Sequence, residues 1–136
     1  MSVEENKAIV RRHFEDILNK QNLTIINEIF AADFLNHSPR IANVGREATG
    51  QDFTQIFQAF PDRRSTIEEM IAEGDKVFVR TTVQGTHQGK VPGIPIDPSG
   101  KQITWTVWEV FRCTGGKIVE RWGIHNLREQ LAAVTV

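Results

Sequence analysis

The chain has 136 residues, with 16 Lys and Arg against 17 Asp and Glu and a formal charge of -1; a length of this order suits one domain, residues 1–136, able to bury roughly 70% of its unfolded surface. The mixed charges exclude the basic stripe that nucleic acid requires, and no apolar run approaches the ~20 residues that span a bilayer. The polar, acidic opening is not expected to be a signal peptide, and the single Cys113 is expected to be an inert thiol, so a cytoplasmic protein is the simplest reading.

Ser2 and Glu5 have the spacing of a capping box. Ile9, Val10, Phe14, Ile17 and Leu18 then recur at helical spacing, which predicts an amphipathic helix over residues 3–20. A shorter helix fits Thr24 to Ala31, with Ile25, Ile26, Ile29 and Phe30 turned inward. Phe34 to His37 reads as a short extended segment stopped by Ser38-Pro39. Gly45 to Gly50 is loop or helix entry, and Phe53, Ile56, Phe57 and Phe60 mark a third helix ended by Pro61-Asp62.

Beyond Pro61 the pattern turns to strands. Residues 65–73 and 76–87 are separated by Gly74-Asp75, a two-residue hairpin signal. That turn pairs Glu73 with Lys76 and Glu69 with Arg80, so opposite charges meet across the strands. Residues 88–100 are rich in Gly and Pro and form a long loop, either a lid or a stiff connection. Residues 102–113 and 117–126 are two further strands joined through Gly115-Gly116, and a short helix or tail follows. Helices first and strands after make an α+β fold rather than a βαβ one.

Taking Gly115-Gly116 as a two-residue turn pairs Thr114 with Lys117, Phe111 with Glu120, Glu109 with Trp122, Val107 with Ile124 and Trp105 with Asn126. Paired residues share a face. One face is then apolar except for Glu109, Glu120 and Asn126, the composition of a pocket wall. The opposite face carries Trp108, Val110, Val119, Arg121 and His125. An exposed apolar patch there predicts a homodimer through Trp108, Val110 and Val119. A one-residue slip would exchange the two faces.

Several runs together carry a resemblance. They are Asn6 to Arg12, Ala32 to His37, Phe60-Pro61-Asp62, Ala72 to Val77, Gly85 to Gly89 with Gly93-Ile94-Pro95, Phe111-Arg112, and Gly116 to Trp122. In this order and spacing the chain resembles the SnoaL-like polyketide cyclases of the nuclear-transport-factor-like superfamily, over residues 6–131. The resemblance implies a cone-shaped fold with three N-terminal helices packed on a curved, antiparallel or mixed sheet around a cavity. It implies cofactor-free aldol cyclisation of polyketide esters, or the related isomerisation of ketosteroid isomerase-like enzymes. The cyclases' catalytic aspartate falls at Asn126, whose amide cannot exchange a proton as a general base does. The isomerases' catalytic base falls at Ser38, and their oxyanion-stabilising acid at Glu109.

The candidate catalytic residues are therefore Glu109, as an acid kept neutral by aromatic surroundings, and His37, if it points into the cavity. Asn126, Trp105, Trp122, Val107, Phe111, Phe14 and Phe57 are candidate substrate contacts. Each has a plainer alternative: Glu109 as a satisfied buried carboxyl, Asn126 as a tie from the strand of Trp105 to the C-terminal segment, the aromatics as core. His13, His87 and His125 are read as structural or solvated. No metal-ligand spacing is present, and no cofactor is expected. The expected partner is a small hydrophobic molecule. Three functions compete: a cofactor-free cyclase, isomerase or lyase; a binder of an apolar metabolite; and a dimeric interaction module.

Overall fold

The computed structural model describes residues 2–38 and 43–134. The predicted stop at Pro39 lies outside the described residues. Helix α1 (Val3–Arg12) opens with the expected capping box, in which Ser2 Oγ accepts from the Glu5 amide and Glu5 accepts from the Ser2 amide. The predicted long helix does not stay α-helical. It passes into a π-helix over His13–Asn19, whose inward residues are His13, Phe14, Ile17 and Leu18. Such widened turns are rare and recur at functional sites.

A 3-10 turn (Leu23–Ile25) and a one-turn helix α2 (Ile26–Ile29) lead directly into strand β1 (Phe30–His37). The second predicted helix is therefore shorter than its apolar pattern indicated, and Phe30 already belongs to the sheet. The two-residue strand β2 (Asn43–Val44) precedes helix α3 (Arg46–Ala59). Strands β3 (Arg64–Glu73), β4 (Lys76–Thr86), β5 (Gln102–Thr114) and β6 (Lys117–His125) follow, and helix α4 (Leu127–Val134) completes the described chain.

The strands form one mixed sheet in the order β2-β1-β6-β5-β4-β3, with β1 parallel to β6 and the other neighbours antiparallel. The β3–β4 hairpin has the predicted register, with Glu73 opposite Lys76 and Glu69 opposite Arg80. Its turn needs one positive φ, at Gly74, whereas the β5–β6 turn has positive φ at both Gly115 and Gly116, the conformations in which glycine avoids a Cβ penalty.

The β5–β6 register departs from the expectation. Thr114 pairs with Lys117 and Cys113 with Ile118, but Arg112 then pairs with Glu120. Val119 is the surplus residue of a β-bulge, so two residues of β6 oppose one of β5. Beyond it Phe111 pairs with Arg121, Val110 with Trp122, Glu109 with Gly123 and Val107 with His125. The bulge sends Arg121, Gly123 and His125 to the face of Glu109, and Glu120, Trp122 and Ile124 to the other. Trp122 is 37% exposed and Ile124 65%. The reading that placed them beside Glu109 is corrected by this single inserted residue.

Two apolar clusters fill the inner face. One gathers Val10, Phe14, Ile17, Phe30, Phe34, Val77, Val79 and Phe111; the other gathers Phe60, Val83, Trp105, Val107, Leu127 and Leu131. Each fully buried Phe or Leu stabilises the fold by about 1.5–3 kcal/mol relative to exposure. Cys113 is buried at the first cluster, and burial, with the Asp75 carboxylate adding to it, pushes its thiol up to about 11. No helix among the described residues is long and apolar enough to cross a membrane.

Candidate active site

Between the two clusters lies a pocket of about 120 Å³. Its walls are Phe14, Leu18, Phe30, Phe34, Phe53, Ile56, Val83, Trp105, Val107 and Leu127, and its polar groups include His13, Asn36, Arg63, Ser65, Thr81, Glu109, Arg121 and His125. The sheet aligns these groups in rows. Ser65, Val83 and Trp105 are cross-strand partners, as are Ile67, Thr81, Val107 and His125, and Val79, Glu109 and Gly123.

Glu109 is 6% exposed, and its Oε2 accepts from Arg121 Nε at 2.5 Å. Arg121 Nη1 donates to Asn36 Oδ1 at 2.9 Å, across the parallel β1–β6 pairing. The guanidinium is thus held between Glu109 and Asn36. Gly123 makes room for it: a Cβ there would fall 2.7 Å from Arg121 Cζ and closer still to Nη2. The buried pair is preserved by geometry, because removing one partner would leave an uncompensated charge at a cost of about 3–5 kcal/mol.

His13 is 3% exposed and ringed by Phe14, Phe30, Phe53 and Phe111, with centroids at 4.8, 5.2, 5.7 and 5.5 Å. Burial, then the charges of Arg121 and Arg63, lowers its pKa to about 3. Its imidazole is therefore neutral at ordinary pH, and its Nδ1 has no hydrogen-bond partner among the described residues.

Arg63 sits immediately before β3 and is buried. Burial lowers its pKa to about 10, against the opposing influence of the Glu109 charge, so it remains a cation at neutral pH. Two clamps fix this corner. Asp62 accepts from both the amide and the hydroxyl of Thr86 at 2.7 Å, and Asn19 bonds the Ser65 amide and carbonyl at 2.7 and 2.9 Å. Alternation along the chain then turns Arg63 and Ser65 inward and Arg64 and Thr66 outward. Gly85 permits the close approach, since a Cβ there would meet Phe60 at 3.1 Å and the Arg63 backbone at 3.3 Å.

Of the residues selected from sequence, Glu109, Trp105, Val107 and Phe14 line the pocket. Phe111 and Phe57 pack in or against the first apolar cluster rather than on the lining. Asn126 Oδ1 accepts from the Thr106 amide at 2.8 Å, and the Asn126 amide donates back to the Thr106 carbonyl. It ties β5 to the start of α4, which is the plainer of its two readings. His37 does not point into the pocket. It lies on the outer face, stacked on Trp122 at 5.3 Å, with Nε2 donating to Glu120 at 2.8 Å. That bond first, and a bond from Arg112 after it, hold the Glu120 carboxyl below its ordinary range.

His125, read as an outer-face residue, lines the pocket, and its Nδ1 accepts from the Leu127 amide at 3.3 Å. Arg63, Arg121, His13, Ser65 and Thr81 were not selected from sequence. His13 had a signal, because it stands three residues after Val10 on the apolar stripe. Arg121 had none, because only the bulge turns it inward. Among the described residues no group of three His, Cys, Asp or Glu side chains is placed to hold a metal ion.

Helices on one face of a mixed sheet, with a largely apolar pocket between them, define the nuclear-transport-factor-like class of α+β folds. Solved structures share it. AclR from Streptomyces galilaeus, a proposed hydroxylase, is 28% identical and superposes with a TM-score of 0.82 over 98% of this chain and 87% of its own. IdmH from Streptomyces antibioticus, a proposed polyketide cyclase, is 26% identical with a TM-score of 0.80 over 96% and 99%. TsrD from Streptomyces laurentii shares the fold at 18% identity, with a TM-score of 0.84 over 98% of each chain. No curated protein matches the sequence. The model of the SnoaL-like polyketide cyclases matches residues 8–134, and the chain belongs to that family.

Proposed function

We propose that the protein catalyses cofactor-free proton transfer beside a carbonyl group, leading to ring closure or isomerisation of a compact, largely apolar molecule. The observation that carries this reading is the convergence of the Glu109–Arg121 pair and a neutral, unpartnered His13 on one apolar pocket. Family membership and the likeness to IdmH support the same kind of chemistry.

In this reading Glu109 is the proton acceptor rather than the donor expected from its aromatic neighbours, a role supported by its hydrogen bond from the Arg121 guanidinium. Glu109 removes a proton from the carbon next to the carbonyl, and the C–H electron pair moves into an enolate. The His13 N–H donates to the enolate oxygen as a neutral electrophile, so no imidazolium is needed. The enolate carbon then either attacks a second carbonyl, forming a C–C bond, or is reprotonated at another position. In the first case the alkoxide takes back the proton held by Glu109. Arg121 and Asn36 act through Glu109 as positioning residues.

The pocket volume favours a ligand of about one ring. A cavity of roughly 150 Å³ accommodates benzene, whereas drug-sized sites span about 300–1,000 Å³. Hydrogen–deuterium exchange at the α-carbon of a panel of small ketones, followed by mass spectrometry, tests the reading. Exchange should be accelerated by the protein and fall at least a hundredfold in Glu109→Gln, typical of losing a general base. A ketone that binds without exchange would select the alternative, a non-catalytic binder, which Asn126 and Ser38 favour because neither supplies a base where the family has one.

The outer sheet face supports a homodimer. Trp108 is 50% exposed, Phe78 meets it edge-on at 6.0 Å, and Trp122 and Ile124 extend the patch beyond the expected Trp108, Val110 and Val119. Sedimentation at micromolar concentration should give a dimer, converted to monomer by Trp108→Asp.

A further inference from the structure

The mechanism above leaves one corner of the pocket unused. Arg63 is 9% exposed, and its Nε and Nη1 are buried with no hydrogen-bond partner among the described residues. The hydroxyls of Ser65, 4% exposed, and Thr81, 0% exposed, are in the same condition, and all three residues line the same pocket. Elsewhere in the site the polar groups are engaged or, like His13, already given a role: Arg121 bonds Glu109 and Asn36, and Asp52, which also lines the pocket, has an interaction of its own. A buried guanidinium with unbonded nitrogens is costly, and buried hydroxyls left without partners add to that cost.

We propose, building on the reading of the pocket as a carbonyl-chemistry site, that its substrate is a compact carbonyl compound bearing a carboxylate. Arg63 receives the carboxylate, with the Ser65 and Thr81 hydroxyls donating to the same group. Three features favour this class. The guanidinium fork matches a planar carboxylate, and charge-assisted bonds of this kind are about twice as strong as neutral ones. One guanidinium, which also feels the Glu109 charge, balances a monoanion better than a phosphate dianion. The remaining walls, Phe14, Phe30, Phe34, Val83 and Trp105, suit a carbon skeleton rather than a sugar or a nucleotide. The arrangement also separates two tasks: the Arg63 corner, beside β3 and β4, anchors, while Glu109 and His13 act on the carbonyl.

Paired one-ring probes test this without knowledge of the substrate. Benzoate and benzamide have nearly the same shape and differ in charge. In titrations of the wild-type protein followed by amide NMR, benzoate should bind at least tenfold tighter than benzamide, with shifts centred on Arg63, Ser65 and Thr81. Arg63→Met should abolish the preference, and Arg63→Lys should retain part of it. Equal binding of the two probes, binding of neither at tens of millimolar, or benzoate shifts located elsewhere would overturn the proposal; the wild-type comparison decides even if Arg63→Met does not fold. The two readings also fail separately. Benzoate preference with no α-carbon exchange in any ketone removes the catalytic reading and leaves the anion site. Exchange confined to neutral ketones removes the anion site and leaves the catalysis.

Discussion

Two hairpins in this protein begin alike and end differently. The β3–β4 and β5–β6 hairpins are both closed by two-residue glycine-containing turns, and both contain a bulge. In β3 the bulge lies between Ile67 and Glu69, after the charged pairs have formed. In β6 it falls at Val119, three residues past the turn, and every side chain beyond it changes face. A turn therefore determines register only as far as the first bulge. In the first hairpin the turn predicted which charges meet in solvent. In the second, one surplus residue exchanged a tryptophan and an isoleucine for an arginine, a glycine and a histidine on the pocket wall.

Arg121→Met, which removes the residue that the bulge turns inward, is the most direct way to break this contrast. It would keep the register and leave Glu109 buried without its partner. The urea midpoint should fall by the equivalent of about 3–5 kcal/mol, with loss of α-carbon exchange; a wild-type midpoint would mean that the pair does not stabilise the fold. Shortening β3 by deleting Glu68, on its exposed edge, should cost less.

The inner wall should also show an acid sensitivity, set by His13. The unfolded chain protonates His13 below its ordinary value of 6.5, while the folded chain resists until about 3. The unfolded state therefore binds more protons in that window. The contribution to stability is complete above pH 6.5 and is lost as pH falls toward 3, at up to about 1.4 kcal/mol per unit. Comparing urea midpoints at pH 7 and 4.5, His13→Phe should show a shallower loss than the wild type. Parallel slopes would mean that the imidazole charges freely in the fold.

Gly123→Ala sharpens the comparison at a single atom. The new Cβ meets the end of a flexible side chain rather than backbone, so the guanidinium is displaced and the sheet remains. Exchange activity should fall at least tenfold, while stability changes by about 1–3 kcal/mol, the range for unsatisfied buried polar groups. Collapse of the amide spectrum would show instead that the glycine supports the fold. The smallest effect belongs to the first hairpin. Glu69→Ala removes an exposed cross-strand partner of Arg80 and should cost about 0.2–1 kcal/mol by chemical denaturation.

These contrasts explain which parts of the molecule were legible in the sequence. Turn glycines, alternating strands and the apolar stripe of the first helix express local rules, and they led to the hairpins, the β3–β4 register and the common wall of Trp105, Val107 and Glu109. The bulge at Val119 has no residue-type signature, since valine sits equally well in a regular strand. The inward turn of Arg121, and the outward turn of His37 with Trp122, follow from it. Arg63 follows a proline-aspartate turn, where a charged residue ordinarily faces solvent. Its burial depends on Asp62, Thr86, Asn19 and Ser65, which come together only in the tertiary structure. His13 was within reach of periodicity, but a polar side chain on an apolar stripe is easily assigned to the solvent side.

The buried Cys113 has a practical consequence. With its thiol pushed up to about 11, roughly one molecule in ten thousand carries the reactive thiolate at pH 7. Toward alkylating reagents the native chain behaves as if it had no cysteine. A cysteine introduced at Ile124, 65% exposed on the outer face, would then take a fluorophore or spin label alone. The rate at which that label attaches would report whether a second copy covers this face, without first removing the native thiol from the core.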